Sequence, residues 1–205
     1  MLHLVLGGAG CGKTTYIREL LCGMTGSGKK LILIVPDQFS FATEKAVLNK
    51  AGSQKSAEIN IWSFNRLADE VFREFGGIKE KRLDETGKAI LMSIAIKSCR
   101  DNLKVYGKAA EKLTGLMVET VSELKSCLIT PEDLLETSRR AKGGLKGKAY
   151  DIGLIYSAYE ALTAQYIDPE DLLTRAGRLI RERGFFKDAI IAFDGFESFN
   201  KQKMA

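Results

Sequence analysis

The sequence predicts an α/β fold in which a large all-helical insertion interrupts a parallel β-sheet. A short apolar run at residues 3–6 leads through glycines into an amphipathic stretch, the order expected for strand, loop and helix. Two further apolar runs are each followed by residues at helical spacing, which indicates repeated β-α units and therefore a parallel sheet. From residue 83 to residue 183 the apolar residues recur at helical spacing, and this stretch predicts a helical block.

Composition places the chain among ordinary globular proteins. Its 205 residues include 31 Lys plus Arg and 26 Asp plus Glu, for a formal net charge of +5, and 45% are hydrophobic. No apolar run approaches the roughly 18 residues of a membrane-spanning helix, and no secretory signal peptide is recognisable. We therefore expect a cytoplasmic protein that has no membrane partner. Four cysteines without a C-x-x-C pair and a single histidine predict no zinc site, and we expect buried, reduced thiols.

The first elements of the sheet can be assigned in order along the chain. Residues 3–6 predict a strand, and the amphipathic stretch at 13–24 predicts the helix after it. Residues 31–35 are continuously apolar, which is typical of a strand buried on both faces of a parallel sheet. A helix is expected at 40–50, and residues 58–62 predict a third strand.

Capping signals fix the start of three helices. Ser63 can cap a helix whose apolar positions recur at helical spacing. Residues 130–133 and 168–171 each combine a capping side chain, a proline and acids, and they mark two helix starts within the helical block. We find no convincing strand inside that block. The chain then returns to a buried-strand pattern at 189–193, which ends at Asp194.

The sharpest chemical signal is Gly-Gly-Ala-Gly-Cys-Gly-Lys-Thr at residues 7–14, which satisfies G-x-x-x-x-G-K-[ST] between a predicted strand and a predicted helix. Glycines let the backbone wrap around a phosphate, and the helix N-terminus adds a partial positive charge. We expect Lys13 to neutralise the β- and γ-phosphates of a nucleotide and Thr14 to ligate Mg²⁺. Thr15 fits either an α-phosphate contact or ordinary helix surface. The expected nucleotide-binding residues are Gly7, Gly8, Ala9, Gly10, Cys11, Gly12, Lys13, Thr14 and Thr15.

A P-loop ATPase normally adds an acid at the end of a second buried strand to hold the metal. Asp194 follows such a run and is the candidate metal ligand, so Lys13 and Asp194 are the expected catalytic residues. The alternative is an aspartate that merely begins a turn with Gly195. Hydrolysing helicases usually place a glutamate base at the position of Gly195, and Glu197 would not point the same way. The sequence therefore supports nucleotide binding more strongly than hydrolysis.

Five segments in order carry a pattern more specific than the P-loop alone. They are the P-loop at 7–14, Ile-Val-Pro-Asp-Gln-Phe-Ser-Phe at 34–41 with Glu44 and Lys45, Ser-Phe-Asn-Arg-Leu-Ala at 63–68, Tyr-Ile-Asp-Pro-Glu-Asp-Leu-Leu at 166–173, and Phe-Asp-Gly-Phe at 193–196 with Phe199. Together they span nearly the whole chain. The sequence resembles the B subunits of the bacterial AddAB helicase-nucleases, whose relatives include RexB.

This resemblance implies a superfamily 1 helicase-like fold with a RecA-like P-loop NTPase sheet that is incomplete here. Residues 1–76 and 185–205 would form that core, and residues 77–184 the helical insertion. The resemblance also implies a much longer polypeptide that pairs with an AddA subunit and processes double-strand DNA ends for recombinational repair. The nuclease domain of that family, with its iron-sulfur cluster, lies outside this sequence. We expect no helicase or exonuclease activity from this chain alone.

Contacts with single- and double-stranded DNA follow from the same resemblance. By position, Ser63 and Phe64 correspond to the segment that approaches single-stranded DNA in related helicases. Arg139, Arg140 and Lys142 begin a basic stretch that reaches Lys148 without an acid, and it fits either phosphate binding or a solvated loop. The side chain of Phe64 fits either packing in the protein core or stacking on a DNA base.

Two other functions remain open on the sequence. A P-loop nucleotide kinase has a similar length and a helical insertion, although no arginine-rich lid follows the last predicted strand. The second is a non-hydrolysing nucleotide-binding or scaffold protein, which would need no glutamate base at the position of Gly195. Phosphorylation of a nucleotide would identify the first, and nucleotide binding without DNA-stimulated turnover would identify the second.

Overall fold

A computed structural model describes the backbone of residues 1–205 and the side chains of all of them except Lys108, Ala110 and Glu111. The helices are α1 (Lys13–Gly23), α2 (Ser40–Ser56), α3 (Phe64–Phe75), α4 (Glu85–Cys99), α5 (Thr114–Ser126), α6 (Pro131–Arg140), α7 (Gly144–Thr163), α8 (Pro169–Arg183) and α9 (Lys201–Met204). The strands are β1 (Lys30–Ile34), β2 (Ile59–Trp62), β3 (Lys81–Arg82), β4 (Tyr166–Ile167) and β5 (Ala189–Phe193). Within this described part of the chain, every helix is too short or too polar to cross a membrane.

The chain folds into two compact units. Residues 1–76 and 176–199 form the first, here called the sheet unit. Residues 77–175 and 200–205 form the second, here called the helical unit. The division falls inside α8, so this helix contributes residues to both units.

The sheet unit is built on three parallel strands in the order β2-β1-β5. β1 lies in the middle, with Leu31 opposite Ile59 of β2 and Ile190 of β5. The side chains from Leu31 to Val35 are almost completely buried, as expected for a central strand of a parallel sheet. Side chains of α1 and α2 complete the core on one face of this sheet. The α/β class and the parallel sheet predicted from the sequence are confirmed.

Most elements of the sheet unit agree with the sequence. The predicted helix after the glycine loop is confirmed by α1, and β1, β2 and β5 confirm the three later strands. The Ser63 hydroxyl accepts the backbone N–H of Arg66 at 3.3 Å, so the predicted cap of α3 is also confirmed. α2 continues to Ser56, beyond the predicted end at residue 50, with Gly52 inside it at a left-handed φ of 75°.

The predicted strand at residues 3–6 is wrong. The structure has no strand there, and the five apolar side chains of residues 1–6 are exposed. A strand needs a neighbour for its N–H and C=O groups, and β5 pairs only with β1 in the described chain. The apolar composition of residues 3–6 suits a β-strand, but no strand of the described chain pairs with them.

The helical unit has its own apolar core, formed by α4, α5 and α7. Its fully buried side chains are Met92, Ala95, Ile96, Met117, Val121, Ile155, Tyr156 and Tyr159. Both helix starts predicted from the sequence are confirmed, by a capping box between Thr130 and Asp133 and by Asp168, which accepts the N–H of Glu170 at 3.1 Å. The expectation of no strand in this block is wrong, because β4 pairs in parallel with β3. These strands have two residues each, too few to show a period.

A buried charge cluster lies beside this core. The Lys125 ammonium is 2.7 Å from Glu160, 2.8 Å from Asp171 and 3.1 Å from Asp168. Burial by itself lowers the pKa of Lys125, but the carboxylates of Asp168 and Asp171 raise that pKa well above its usual value. The Tyr159 hydroxyl also donates to Asp168, at 3.1 Å. Lys125 therefore stays charged although it is almost fully buried.

A second buried carboxylate holds a loop. Asp151, in α7, is completely buried and accepts the backbone N–H groups of Lys104, Val105 and Tyr106 at 2.8, 2.7 and 2.9 Å. These three donors lie in the connection between α4 and α5, between two short 3-10 helices at residues 100–102 and 107–112. Asp151 thus fixes that connection against α7.

We expect Asp151→Ala to lower the free energy of unfolding by about 3 kcal/mol, because three backbone N–H groups lose a charged acceptor. Urea denaturation followed by circular dichroism measures this change. Asp101→Ala removes an exposed carboxyl group of the same unit and should change stability by less than about 0.5 kcal/mol. Equal unfolding midpoints for the two variants would contradict the assignment.

Candidate nucleotide-binding site

The glycine-rich loop runs directly into α1. Gly10 and Gly12 have φ values of 74° and 90°, a region that side chains with a Cβ rarely adopt. Gly7 needs to be glycine for another reason, since an added Cβ would lie 2.5 Å from the Cys11 sulfur. Two glycines of the motif are therefore favoured by their backbone conformation, and a third by its short distance to a neighbouring side chain.

Lys13 is the first residue of α1, and its side chain folds back onto the loop. Its ammonium donates to the carbonyl groups of Gly7 at 2.8 Å and Gly8 at 2.7 Å. A cation is thus held against the loop at the N-terminus of α1. The Cys11 thiol, 3.9 Å from this ammonium, is exposed, so the expectation of buried thiols is wrong here; the loop leaves it open to solvent.

Thr14 and Asp194 meet, although they are 180 residues apart in sequence. The Thr14 hydroxyl donates to Asp194 Oδ1 at 3.0 Å. Asp194 directly follows β5, and its backbone N–H donates to the carbonyl of Ile34, the last residue of β1, at 3.0 Å. Parallel strands end at the same edge of a sheet, and α1 begins beside that edge. The structure therefore brings together the two residues that the sequence suggests as metal ligands.

The backbone conformation of the residue after Asp194 favours glycine. Gly195 has a φ of 78°, and an added Cβ would lie 3.4 Å from Pro36 and 3.5 Å from Phe39. A glutamate at this position would be strained in its backbone, whereas both Cβ distances are those of ordinary van der Waals contacts. Glu197 is exposed.

The oxygen atoms of Thr14 and Asp194 suit Mg²⁺, a hard cation that prefers oxygen ligands. Among the side chains that the structure describes, no three His, Cys, Asp or Glu residues gather as a dedicated metal site would require. Mg²⁺ usually binds through one or two protein oxygens, with phosphates and water completing its shell. The residues present therefore fit a metal ion that arrives with a nucleotide.

The remaining loop positions are open to solvent. Gly8 and Ala9 are exposed in the loop, and Thr15 is exposed in the first turn of α1. Both interpretations of Thr15, as an α-phosphate contact and as helix surface, stay open.

Ser63 and Phe64, which the resemblance associates with DNA, lie at the start of α3 in the sheet unit. Ser63 is buried, and its hydroxyl is used as the cap of α3. Phe64 packs against three aromatic rings with centroids 5.5 to 6.2 Å away, those of Phe193, Phe196 and Phe199. Phe64 is half-buried and its partners Phe193 and Phe199 are exposed, so both interpretations of Phe64 stay open.

The basic candidates lie in the helical unit. Arg139 and Arg140 are exposed at the end of α6, and Lys142 is exposed just after it. Arg140 pairs with Glu136 on the same helix. Lys146 and Lys148 follow in α7 and are also exposed.

The residues that hold Asp194 in place were not predicted from the sequence. Ile34 supplies the carbonyl that fixes the Asp194 backbone, and the Pro36 ring lies next to Gly195. The sequence did contain a signal for these two residues. The carboxyl ends of adjacent parallel strands lie at the same side of a sheet, and both residues come at the end of a predicted strand.

Comparison with known proteins identifies the family of this chain. The B subunit of the ATP-dependent helicase/deoxyribonuclease of Clostridium botulinum (strain Hall) is 35% identical over 208 residues, which cover 98% of this chain and 18% of that protein. Proteins of the same name from Clostridium tetani and Desulforudis audaxviator are 33% identical over 211 and 215 residues, covering 98% and 100% of this chain. The chain spans 18% of the length of these relatives.

A family model described as "ADDB, N-terminal" matches residues 4–205, which is nearly the entire sequence. The resemblance drawn from the sequence is thereby confirmed. This chain belongs to the AddB N-terminal family.

Proposed function

We propose that this chain is the nucleotide-binding part of an AddB protein and that it holds Mg-ATP at the loop from Gly7 to Thr14. The observation that carries the proposal is the hydrogen bond between Thr14 and Asp194, which joins the start of α1 to the end of β5. A glycine-rich turn that matched the motif by chance would not place a threonine hydroxyl and a strand-end carboxylate 3.0 Å apart. Lys13 adds a cation at the same helix N-terminus.

The residues of the loop can each contribute to phosphate binding. On binding, Lys13 would exchange the neutral carbonyls of Gly7 and Gly8 for charged phosphate oxygens, which are stronger acceptors. The first N–H groups of α1 have no acceptor within the helix and can donate to phosphate. Mg²⁺ supplies neutralisation of the phosphate charge, and Thr14 and Asp194 would hold it.

We expect Lys13→Ala to weaken Mg-ATP binding at least about 100-fold, because charge-assisted hydrogen bonds to the phosphates are lost. Isothermal titration calorimetry on the chain measures the affinity. Lys29→Ala is the matched control, since it removes one positive charge from an exposed lysine outside the loop and should bind as the wild type does. Equal Mg-ATP affinities for the two variants would refute the proposed site.

We propose further that the site binds ATP without hydrolysing it. Hydrolysis needs a group that orients the attacking water, and helicases usually supply a glutamate at the position of Gly195. The left-handed backbone of Gly195, with a φ of 78°, supports glycine there. This is the non-hydrolysing alternative that the sequence leaves open.

ATP bound to the wild-type chain should therefore stay intact. In a single-turnover experiment with the chain in excess over γ-labelled ATP, phosphate release should not exceed the release by Lys13→Ala, with or without single-stranded DNA. Phosphate release that depends on Lys13 would overturn the binding-only proposal. A parallel measurement with Glu197→Gln would then show whether Glu197 acts as the base.

Family membership also suggests a function for the longer protein of which this chain would be a part, namely DNA processing. The relatives are named as B subunits of an ATP-dependent helicase/deoxyribonuclease. We propose that this chain works within such a protein, paired with an AddA subunit, in the processing of double-strand DNA ends for recombinational repair. Under this proposal, residues 1–76 and 185–205 are a RecA-like core of the superfamily 1 type, and residues 77–184 are its helical insertion. Family membership favours this function over a nucleotide kinase.

A second proposed role is contact with DNA phosphates by the basic stretch that begins at Arg139. Its supporting observation is exposure, because five basic side chains around the α6–α7 connection reach solvent without an acid between them in sequence: Arg139, Arg140, Lys142, Lys146 and Lys148. Phosphate contacts of this kind give affinity without sequence specificity.

If this stretch binds DNA, replacing Arg139, Arg140 and Lys142 by alanine should weaken single-strand binding. The slope of log affinity against log salt should fall by up to about 2, since three phosphate contacts are lost. Fluorescence anisotropy with a labelled oligonucleotide across a salt series measures both effects. The control triple variant at Lys29, Lys55 and Lys187 has the same change in net charge on exposed residues. Identical slopes for the two triple variants would assign the stretch to solvated surface.

A further inference from the structure

One face of α1 carries exposed apolar side chains directly beside the glycine-rich loop. Tyr16 and Leu20 are four residues apart and therefore lie on the same face of the helix. They are 53% and 41% exposed, whereas Ile17 and Leu21 pack into the core of the sheet unit. The Tyr16 ring takes part in none of the ring pairs in the described chain. An aromatic face is thus available at the first turn of α1.

A third face of α1 is directed to α2. Arg18 donates to the Thr43 hydroxyl at 3.3 Å, and Glu19 forms an ion pair with Lys50. Both charged side chains of α1 after Lys13 are therefore engaged with α2. The exposed face presents the Tyr16 ring and the Leu20 methyl groups instead of charge.

The position of Tyr16 relative to the metal ligands fits the place of a nucleotide base. Thr14 faces β5, since its hydroxyl donates to Asp194 at 3.0 Å. Successive residues of an α-helix are about 100° apart around its axis, so Tyr16 lies about 200° from Thr14, on the opposite side of α1. A loop of this type holds the α- and β-phosphates, and the metal lies toward the γ-phosphate. The ribose and the base extend from the α-phosphate, away from the metal.

We propose that the Tyr16 ring stacks on the base of the bound nucleotide, an inference that rests on the nucleotide site proposed above. Tyr16 directly follows Thr15, the candidate contact of the α-phosphate, so a base that continues from this phosphate reaches the exposed face of α1. Tyrosine suits the task, because its ring offers a flat apolar surface while its hydroxyl stays in water. Stacking of a base on an aromatic side chain raises affinity by about 5- to 150-fold.

Stacking also sets the class of nucleotide. Every base has a π-face, so an aromatic platform accepts adenine and guanine alike, and the larger purines stack over more area than pyrimidines. Strong discrimination between bases requires hydrogen bonds to their edges. Arg18 and Glu19, the charged residues nearest to Tyr16 in α1, already contact α2. The ligands of the site are therefore purine nucleoside triphosphates, bound with little preference between adenine and guanine.

Calorimetry with Mg-ATP and with Mg-tripolyphosphate, which lacks ribose and base, tests the stacking. Tyr16→Ala should weaken Mg-ATP binding at least about 5-fold and leave the affinity for Mg-tripolyphosphate unchanged, because only the base contact is lost. Tyr16→Phe keeps the ring and should bind both ligands as the wild type does. Mg-GTP should bind the wild type within about 5-fold of Mg-ATP and should also be weakened by Tyr16→Ala.

The two ligands separate failure of the stacking from failure of the nucleotide site. Unchanged Mg-ATP affinity in Tyr16→Ala overturns the stacking and leaves the phosphate site in place. Equal weakening of both ligands also overturns it, because Tyr16 would then support the loop and not the base. If the wild type binds neither ligand, the nucleotide site is refuted and the stacking with it. Much weaker binding of Mg-GTP than of Mg-ATP would contradict the proposed ligand class.

Proton NMR of the bound nucleotide distinguishes stacking from other contacts. Protons of a base that lies over an aromatic ring resonate upfield, because the ring current opposes the applied field. The carbon-bound protons of the adenine ring should shift upfield in saturated complexes of the wild type and of Tyr16→Phe. Tyr16→Leu keeps an apolar side chain without a ring, and the shift should be absent there. Because Tyr16 is exposed, the circular dichroism spectrum should not change. An equal upfield shift in Tyr16→Leu would assign the stacking to another ring.

Discussion

A hydrogen bond of 3.0 Å between Thr14 and Asp194 is the contact on which the geometry of the candidate site depends. Its position is set by the core, because the backbone of Asp194 is held by Ile34 at the end of the most deeply buried strand. A one-residue slip of β5 against β1 would turn every side chain of β5 to the opposite face. The apolar packing that stabilises the sheet therefore also fixes where the carboxylate meets α1.

The helical unit depends on a different constraint, the burial of charge. Removing Lys125 or Asp168 from water is costly, and each is compensated by partners on several sides. Asp168 combines two tasks, since it also accepts the N–H of Glu170 at the start of α8. α8 is the segment that leads the chain back toward β5, so the cluster fixes the beginning of that return. Such a cluster specifies one arrangement of helices more strictly than apolar contacts do, because an unpaired buried charge is expensive.

Features with a local cause could be predicted from the sequence. The cap of α3 at Ser63 and the start of α6 at Thr130 need only neighbours three residues away, and both are as expected. The features that the sequence did not predict depend on which strands pair with each other. Residues 3–6 have the composition of a strand but no neighbour, and β4 gains its neighbour from 85 residues earlier in the chain. In the site, the motif placed Lys13 and Thr14, whereas the contact of Thr14 with Asp194 depends on the pairing of β5 with β1, two strands that are far apart in sequence.

The two sides of the loop in the candidate site are held unequally. On its carboxyl side the loop is held by α1 and by the contact of Thr14 with Asp194. On its amino side it continues into residues 3–6, which no strand of the described chain holds in place. Fixing the backbone of one residue costs about 1 to 2 kcal/mol of conformational entropy. Because residues 3–6 have no such pairing in the described chain, part of the binding energy of the phosphates would be spent on ordering the amino side of the loop.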